Sequence, residues 1–193
     1  MRPPLDAPDA VEADALAARE AAPDRAAQRL IETLPGRDFR DALGSFATGV
    51  TVVTTSTASR ELIGVTISSF NSVSLDPRLI LWSLSLASPR FAAFRQASHY
   101  AVNVLALDQA WISDCFASRD HELFHEVRIS RGRSGLPLID GCAAWFECRN
   151  AAHYPGGDHL IFVGEVERFA RGATSEPLVF HGGRYRELRA DNR

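Results

Sequence analysis

The feature that most constrains the fold is a series of short runs rich in β-branched and aromatic residues, separated by turn signals. Val50–Thr55 consists entirely of β-branched residues, which favour a pleated sheet and have no helical period here. The other predicted strands are Leu62–Phe70, Leu79–Leu84, Tyr100–Leu105, Ala143–Ala152, Leu160–Phe169 and Leu178–Phe180. No regular strand–helix alternation connects them, which disfavours a doubly wound parallel sheet. We predict a mainly β, antiparallel barrel with short helical inserts.

The first 36 residues differ in composition from the rest of the chain. Met1–Pro23 is rich in Ala, Pro, Asp and Arg, with few large apolar side chains whose burial could offset the entropy of ordering. We therefore predict a disordered or loosely helical extension over residues 1–36 and one folded domain over 37–189. At its start, Phe39, Leu43 and Phe46 are spaced to lie on one face of a helix.

Composition excludes several function classes. All 21 basic residues of the 193 are Arg, so the chain has no lysine for a phosphate-binding loop, an internal Schiff base or a general base. The net charge of −3 provides no basic field for nucleic acid. Three cysteines without a CxxC pair indicate reduced thiols. No apolar run reaches the ~18 residues of a membrane-spanning helix. We expect a cytoplasmic protein without nucleic-acid or membrane partners.

The segment His121–His125 reads HELFH and matches the zinc-binding pattern HExxH. On an α-helix its two histidines would share a face, with Glu122 polarising a water. However, the next acid, Glu126, points to the wrong face for a third ligand. An exposed polar helix without metal is the favoured interpretation, and a zinc hydrolase remains a remote alternative.

Three further segments combine polar side chains with turn residues. Thr66–Ser74 is a hydroxyl-rich run that could hydrogen-bond a planar heterocycle or form a simple turn. Tyr154–His159 places a histidine after two glycines, and His181–Tyr185 combines His, a Gly pair, Arg and Tyr. Each segment alone also fits a purely structural role.

Six blocks, in this order along the chain, carry a resemblance to a known family. They are FRDALGSFATGVTVVTT (39–55), GVTISSFNSVSLDPRLILWSL (64–84), YAVNVLALDQ (100–109), GLPLI (135–139), GGDHLIFVGEV (156–166) and PLVFHGGRY (177–185). Together they resemble the short-chain flavin reductase family, which includes the reductase components of two-component flavin-dependent monooxygenases. The resemblance implies an FMN-binding split β-barrel, antiparallel and Greek-key-like. It also implies hydride transfer from NADH or NADPH to FMN or FAD.

The resemblance further assigns roles to residues of this chain. The residues implied in flavin binding are Ser68, Ser69, Phe70, Asn71, Ser72, Ser74, Ser88, Arg90, Asn103 and Phe116. Those implied in nicotinamide nucleotide binding are Phe180, His181, Gly182, Gly183 and Arg184. His159 is implied beside the reacting rings, where we assign it positioning and electrostatics, because hydride transfer needs no strong general base.

The family also implies a homodimer and delivery of reduced flavin to a separate monooxygenase. The sequence leaves open FMN against FAD, NADH against NADPH, and a bound flavin against flavin as a substrate. A flavin carrier or sensor without turnover is the alternative function, although it would have no use for a nicotinamide site.

Overall fold

The computed structural model describes residues 36–57, 61–118, 122–132, 135–173 and 176–189. The chain divides after Leu43 into two units. The described part of the first unit belongs to helix α1 (Gly36–Gly44). The predicted extension, residues 1–36, lies outside the described residues except for Gly36, which begins α1. The helix predicted to carry Phe39, Leu43 and Phe46 on one face is shorter than expected. It ends at Gly44, so Phe46 lies beyond the end of α1.

The second unit is built mostly of strands, as predicted. The strands in the described part of this unit are β1 (Thr48–Gly49), β2 (Thr51–Ser56), β3 (Leu62–Ile67), β4 (Asn71–Leu75), β5 (Arg78–Ser85), β6 (His99–Val104), β7 (Ile129–Arg131), β8 (Pro137–Ile139), β9 (Ala144–Gly156), β10 (His159–Arg171), β11 (Val179–His181) and β12 (Arg184–Arg186). The helices are α2 (Phe91–Gln96) and α3 (Ala110–Ala117), with 3-10 turns at Leu107–Gln109 and Glu122–Glu126. Among the described residues, no helix is long and apolar enough to cross a membrane.

Seven strands form one antiparallel sheet in the order β3-β2-β6-β9-β10-β5-β4. β3 and β4 are its two edges, and no ladder among the described strands joins them, so the barrel is split rather than closed. This confirms the predicted fold class. A second sheet of order β1-β11-β12 and a hairpin of β7 with β8 complete the unit.

The inside of the main sheet is filled by large aromatic side chains. Trp82 of β5 stacks on Phe162 of β10 with ring centroids 4.3 Å apart, and Phe94 and Tyr100 meet it edge-on. All four side chains are fully buried. A second core packs α3 against β2 and β3 through Val52, Ile112 and their neighbours. Because side chains fill both cores, the candidate ligand sites are the clefts between the elements.

Three features of the strands were not predicted. The strand predicted over Leu62–Phe70 ends at Ile67, and the Ser-rich run that follows returns as the edge strand β4. The Gly-rich connection between residues 131 and 141 holds most of the β7–β8 hairpin. β12 follows β11 after a Gly–Gly turn.

Candidate functional site

The first candidate site is a cleft of about 260 Å³ between β3, α3 and the β11–β12 hairpin, which we call the hairpin cleft. Its lining residues are Val50, Thr66, Ile67, Ser68, Ser113, Ala117, Phe180 and Tyr185. The cleft brings Ser68 together with Phe180, which come from two different predicted sets. Apolar walls with a few polar groups suit a planar, partly polar ring system.

Hydrogen bonds to α3 hold two walls of the hairpin cleft in place. Thr66 Oγ1 donates to the carbonyl of Ser113 at 2.7 Å, which ties β3 to the helix. The phenol oxygen of Tyr185 lies 2.9 Å from Ser113 Oγ and 2.7 Å from Asp114 Oδ1, which ties the hairpin to the same helix turn. Burial raises the pKa of the Tyr185 phenol, so this group is neutral near pH 7.

The second sheet presents one aligned row of side chains. Thr48, Phe180 and Tyr185 are neighbours in the β1-β11-β12 register, and directly paired residues face the same side of a sheet. The rings of Phe180 and Tyr185 meet edge-on, 5.8 Å apart. Thr48 Oγ1 is buried and has no hydrogen-bond partner within the described part of the chain.

The hydroxyl-rich segment after β3 divides between two clefts. Ser68 lines the hairpin cleft, whereas Ser69 accepts a hydrogen bond from Ser83 N at 3.0 Å and donates to Ser83 O. Phe70, Ser72 and Ser74 instead line a second, apolar groove of about 350 Å³ beside β5 and β10. This groove also includes Phe146 and Phe169.

Asn71 begins the edge strand β4, and its side chain is exposed. Its Oδ1 accepts the backbone N–H of Ser72 at 2.9 Å. The side chain of Asn71 lies on the edge strand of the sheet, and flavin binding by it stays a prediction.

Arg90, predicted near a phosphate, is buried at the start of α2. Its guanidinium donates to the carbonyls of Phe116 at 3.3 Å and Ser118 at 2.8 Å, at the end of α3. A cation at the C-terminus of a helix is electrostatically favourable. Burial lowers the pKa of Arg90. Ser88 Oγ accepts the N–H of Arg90 at 3.3 Å. Phosphate binding by this pair stays a prediction.

Asn103 and Phe116 lie in the core, not on a cleft wall. Asn103 is 0% exposed, donates through Nδ2 to Val52 O and Thr54 Oγ1, and accepts Ile139 N–H through Oδ1. Phe116 is also 0% exposed, and its ring centroid lies 4.4 Å from that of Phe124. In this arrangement neither side chain reaches the surface to meet a cofactor.

His159 begins β10, directly after the turn that follows β9. Its Nδ1 lies 2.7 Å from Asp158 Oδ1, and this hydrogen bond lowers the pKa of the Asp158 carboxyl. The His159 side chain is 42% exposed. His159 pairs with Ser85 across the strands and lines neither of the two clefts above. Its assignment beside the reacting rings stays a prediction.

The remaining predicted nucleotide residues form the turn of the β11–β12 hairpin. His181 pairs with Arg184, and both side chains are exposed. Gly182 and Gly183 lie between them with φ of 59° and 75°, so the two-residue turn needs positive φ at both positions. The turn therefore places the guanidinium of Arg184 and the imidazole of His181 at the end of the hairpin that borders the cleft.

The described part of the HELFH segment, Glu122–His125, lies in a 3-10 helix and not in the α-helix that the HExxH pattern needs. Glu122–Glu126 is a 3-10 helix, in which side chains four residues apart are rotated by about 120° and do not share a face. Among the described residues, no cluster of His, Cys, Asp and Glu could hold a metal ion. His121 lies outside the described residues.

Several residues of the hairpin cleft were not predicted as site residues. Val50, Ser113 and Tyr185 are distant in sequence, and only the tertiary structure brings them together. Thr66, which also lines the cleft, begins the hydroxyl-rich run noted in the sequence. Tyr185 had a sequence signal, because it ends the HGGRY motif.

Known proteins share both the sequence and the fold. Residues 43–189 match the family described as Flavin reductase like domain. The chain is 48% identical over 149 residues to the FMN reductase (NADH) SmoA of Agrobacterium fabrum, covering 77% of this chain and 84% of that protein.

It is 42% identical over 149 residues to the reductase component of the flavin-dependent trigonelline monooxygenase of Acinetobacter baylyi, covering 77% of this chain but only 48% of that protein. The solved structure of the NADH:FAD oxidoreductase SgcE6 of Streptomyces globisporus, in complex with NAD and FAD fragments, superposes with a TM-score of 0.78 at 36% identity. That match covers 84% of this chain and 99% of the other. With the split barrel and the six sequence blocks, these matches show that the chain belongs to the flavin reductase like domain family.

Proposed function

We propose that this chain is an NAD(P)H:flavin oxidoreductase that transfers a hydride from NADH or NADPH to FMN or FAD. The observation that carries the proposal is the hairpin cleft, which is lined both by Ser68 of the predicted flavin segment and by Phe180 of the predicted nicotinamide segment. Relatives named as NADH-dependent FMN or flavin reductases, at 40 to 48% identity, support the same reaction.

The residues of the hairpin cleft fit a flavin ring. Phe180 and Tyr185 provide aromatic surface, and Ile67 and Val50 provide apolar walls. At about 260 Å³ the cleft accepts a ring system rather than a whole dinucleotide, so the rest of the cofactor extends outside it. A bound flavin supplies the hydride acceptor. The chain orients the two rings and excludes water from between them.

The other site residues stay part of the proposal. Flavin contacts come from the segment Ser68–Ser74 and the Ser88–Arg90 region, and nicotinamide contacts from Phe180–Arg184. His159 positions the reacting rings. We leave Asn103 and Phe116 out of direct contact, since both are fully buried.

We further propose that the reduced flavin passes to a separate monooxygenase. A relative named as the reductase component of a flavin-dependent monooxygenase supports this partner. We also propose a homodimer, because the open edge β4 and the exposed apolar side chains of Val73 and Leu75 favour coverage by a second copy. The three cysteines are all free and buried, which favours a reducing compartment such as the cytoplasm.

The test is steady-state oxidation of NADH and NADPH with added FMN or FAD. We expect turnover that depends on added flavin. His159→Ala should slow this turnover much more than it weakens flavin binding, and His125→Ala, an exposed histidine outside both clefts, serves as the matched control.

Two results would contradict the proposal. Flavin binding without oxidation of either nucleotide would favour the alternative function, a flavin carrier or sensor without turnover. If His159→Ala changed turnover and flavin binding equally, the role given to His159 in positioning the reacting rings would be wrong.

A further inference from the structure

The β11–β12 hairpin is joined to the rest of the chain by few bonds. β11 pairs with β1 at two positions, Thr48 with Phe180 and Gly49 with Val179. In the turn, the N–H of Gly182 also donates to Gly44 O at 2.8 Å. β12 pairs only with β11 among the described strands, so it is the outer edge of its sheet. A hairpin attached on one side can move away from the cleft unless side chains fix its free strand.

The Tyr185 side chain provides that attachment on β12. Its ring packs against the second core, and its phenol oxygen reaches Ser113 Oγ and Asp114 Oδ1 on α3. A phenol has one proton. When it donates to the Asp114 carboxylate, as charge favours, its oxygen can accept the hydroxyl proton of Ser113. The three groups then form a continuous chain of hydrogen bonds.

Ser113 connects this chain to the opposite wall of the cleft. The Ser113 side chain is 1% exposed, and its carbonyl accepts the hydroxyl of Thr66 from β3. One residue of α3 therefore fixes both β3, which leads into the predicted flavin segment, and the hairpin, which carries the predicted nicotinamide segment. The width of the cleft depends on these bonds.

We propose that Tyr185 is a positioning residue for the nicotinamide nucleotide, and this inference rests on the proposed reductase function. Its hydrogen bonds to Ser113 and Asp114 keep the hairpin in the conformation that receives NAD(P)H. When only a fraction of molecules holds the binding-competent conformation, the apparent dissociation constant rises by the inverse of that fraction. Once the nucleotide is bound, the reacting rings are in place and hydride transfer is unchanged.

Tyr185→Phe removes the hydroxyl and keeps the ring, so the packing against Phe180 remains. We expect KM for the nucleotide to rise by about tenfold, the effect of losing one hydrogen bond to a charged group, while kcat changes by less than about twofold. Flavin affinity should stay close to that of the unchanged chain, and Tm should fall by no more than about 6 °C. Tyr154→Phe, which removes the hydroxyl of an exposed tyrosine outside both clefts, is the matched control.

Asp114 provides a second, independent variant. Asp114→Asn keeps an acceptor oxygen and should raise KM less than Tyr185→Phe, whereas Asp114→Leu should raise it by about the same factor. Combining Asp114→Leu with Tyr185→Phe should add little, because both remove the same bond.

The outcomes separate this inference from the proposed function. If the unchanged chain oxidises no nucleotide with any flavin, the proposed function fails. If the unchanged chain is active and Tyr185→Phe leaves KM unchanged, the function stands and the positioning role is wrong. A variant that lowers kcat, or that lowers Tm and flavin affinity together, would also overturn the inference, because it would show a catalytic or a general structural role.

Discussion

Two asparagines that the family resemblance implies in flavin binding should behave in opposite ways when truncated. Asn103 is fully buried and links β6 to β2 and β8, whereas Asn71 is exposed on the edge strand β4. We predict that Asn103→Ala lowers stability without changing flavin affinity, and that Asn71→Ala lowers flavin affinity without changing stability. Each variant is the control for the other.

The magnitude for Asn103→Ala follows from the groups it leaves behind. The buried N–H of Ile139 loses its acceptor at 2.9 Å, whereas Thr54 Oγ1 still donates to Pro137 O at 2.6 Å. One orphaned buried donor and the small cavity together lower the free energy of unfolding by about 2–3 kcal/mol. For a domain of this size that corresponds to a fall in Tm of about 4–12 °C.

The assay is thermal unfolding followed by circular dichroism, with flavin titrations far below the transition. Asn71→Ala should stay within about 0.5 kcal/mol of the unchanged chain, as surface substitutions do. If Asn103→Ala kept its Tm and lost flavin affinity, the side chain would contact the cofactor and its placement in the core would be wrong.

Two further predictions concern packing and pH. Gly64→Ala places a Cβ well inside van der Waals contact with the buried ring of Phe116, so it should lower the free energy of unfolding by about 1–3 kcal/mol, measured by urea unfolding. Gly49→Ala is the control, because open space surrounds its Cβ and its stability should not change. Equal stabilities of the two variants would contradict the packing of α3 on β3. Burial, together with the charge of Arg95, lowers the pKa of His153 from its ordinary value of 6.5. The stability that neutral His153 contributes is therefore fully present above pH 6.5 and is lost as the pH falls through the lowered pKa of the folded state. The free energy of unfolding of His153→Gln should therefore fall less than that of the unchanged chain between pH 7.5 and pH 5.5. An identical fall would refute the lowered pKa of His153.

The main strands were predictable because their sequence signals are strong. Val50–Thr55 has no residue that favours a helix, and the structure places β2 over Thr51–Ser56. β4 was missed because Asn and Ser are poor strand formers, and because an edge strand needs a partner on only one side, which β5 supplies. β12 is three residues long, and its pairing depends on the turn at Gly182 and Gly183.

The site was predictable only in part. The family resemblance pointed to Ser68 and Phe180, and the structure brings them to one cleft. Sequence motifs do not show which of the implied flavin-binding residues are buried, and the structure places Asn103 and Phe116 in the core. The role of Ser113 depends on contacts with residues 47 and 72 positions away, which no local pattern contains.

The most direct test of the account is anaerobic mixing of the chain and a flavin with NADH or NADPH, followed through the absorbance of the oxidised flavin. We predict that the flavin is reduced at a rate that saturates with the nucleotide and far exceeds the rate without the chain. Absence of any acceleration with all four pairs of FMN or FAD and NADH or NADPH would contradict hydride transfer by this protein.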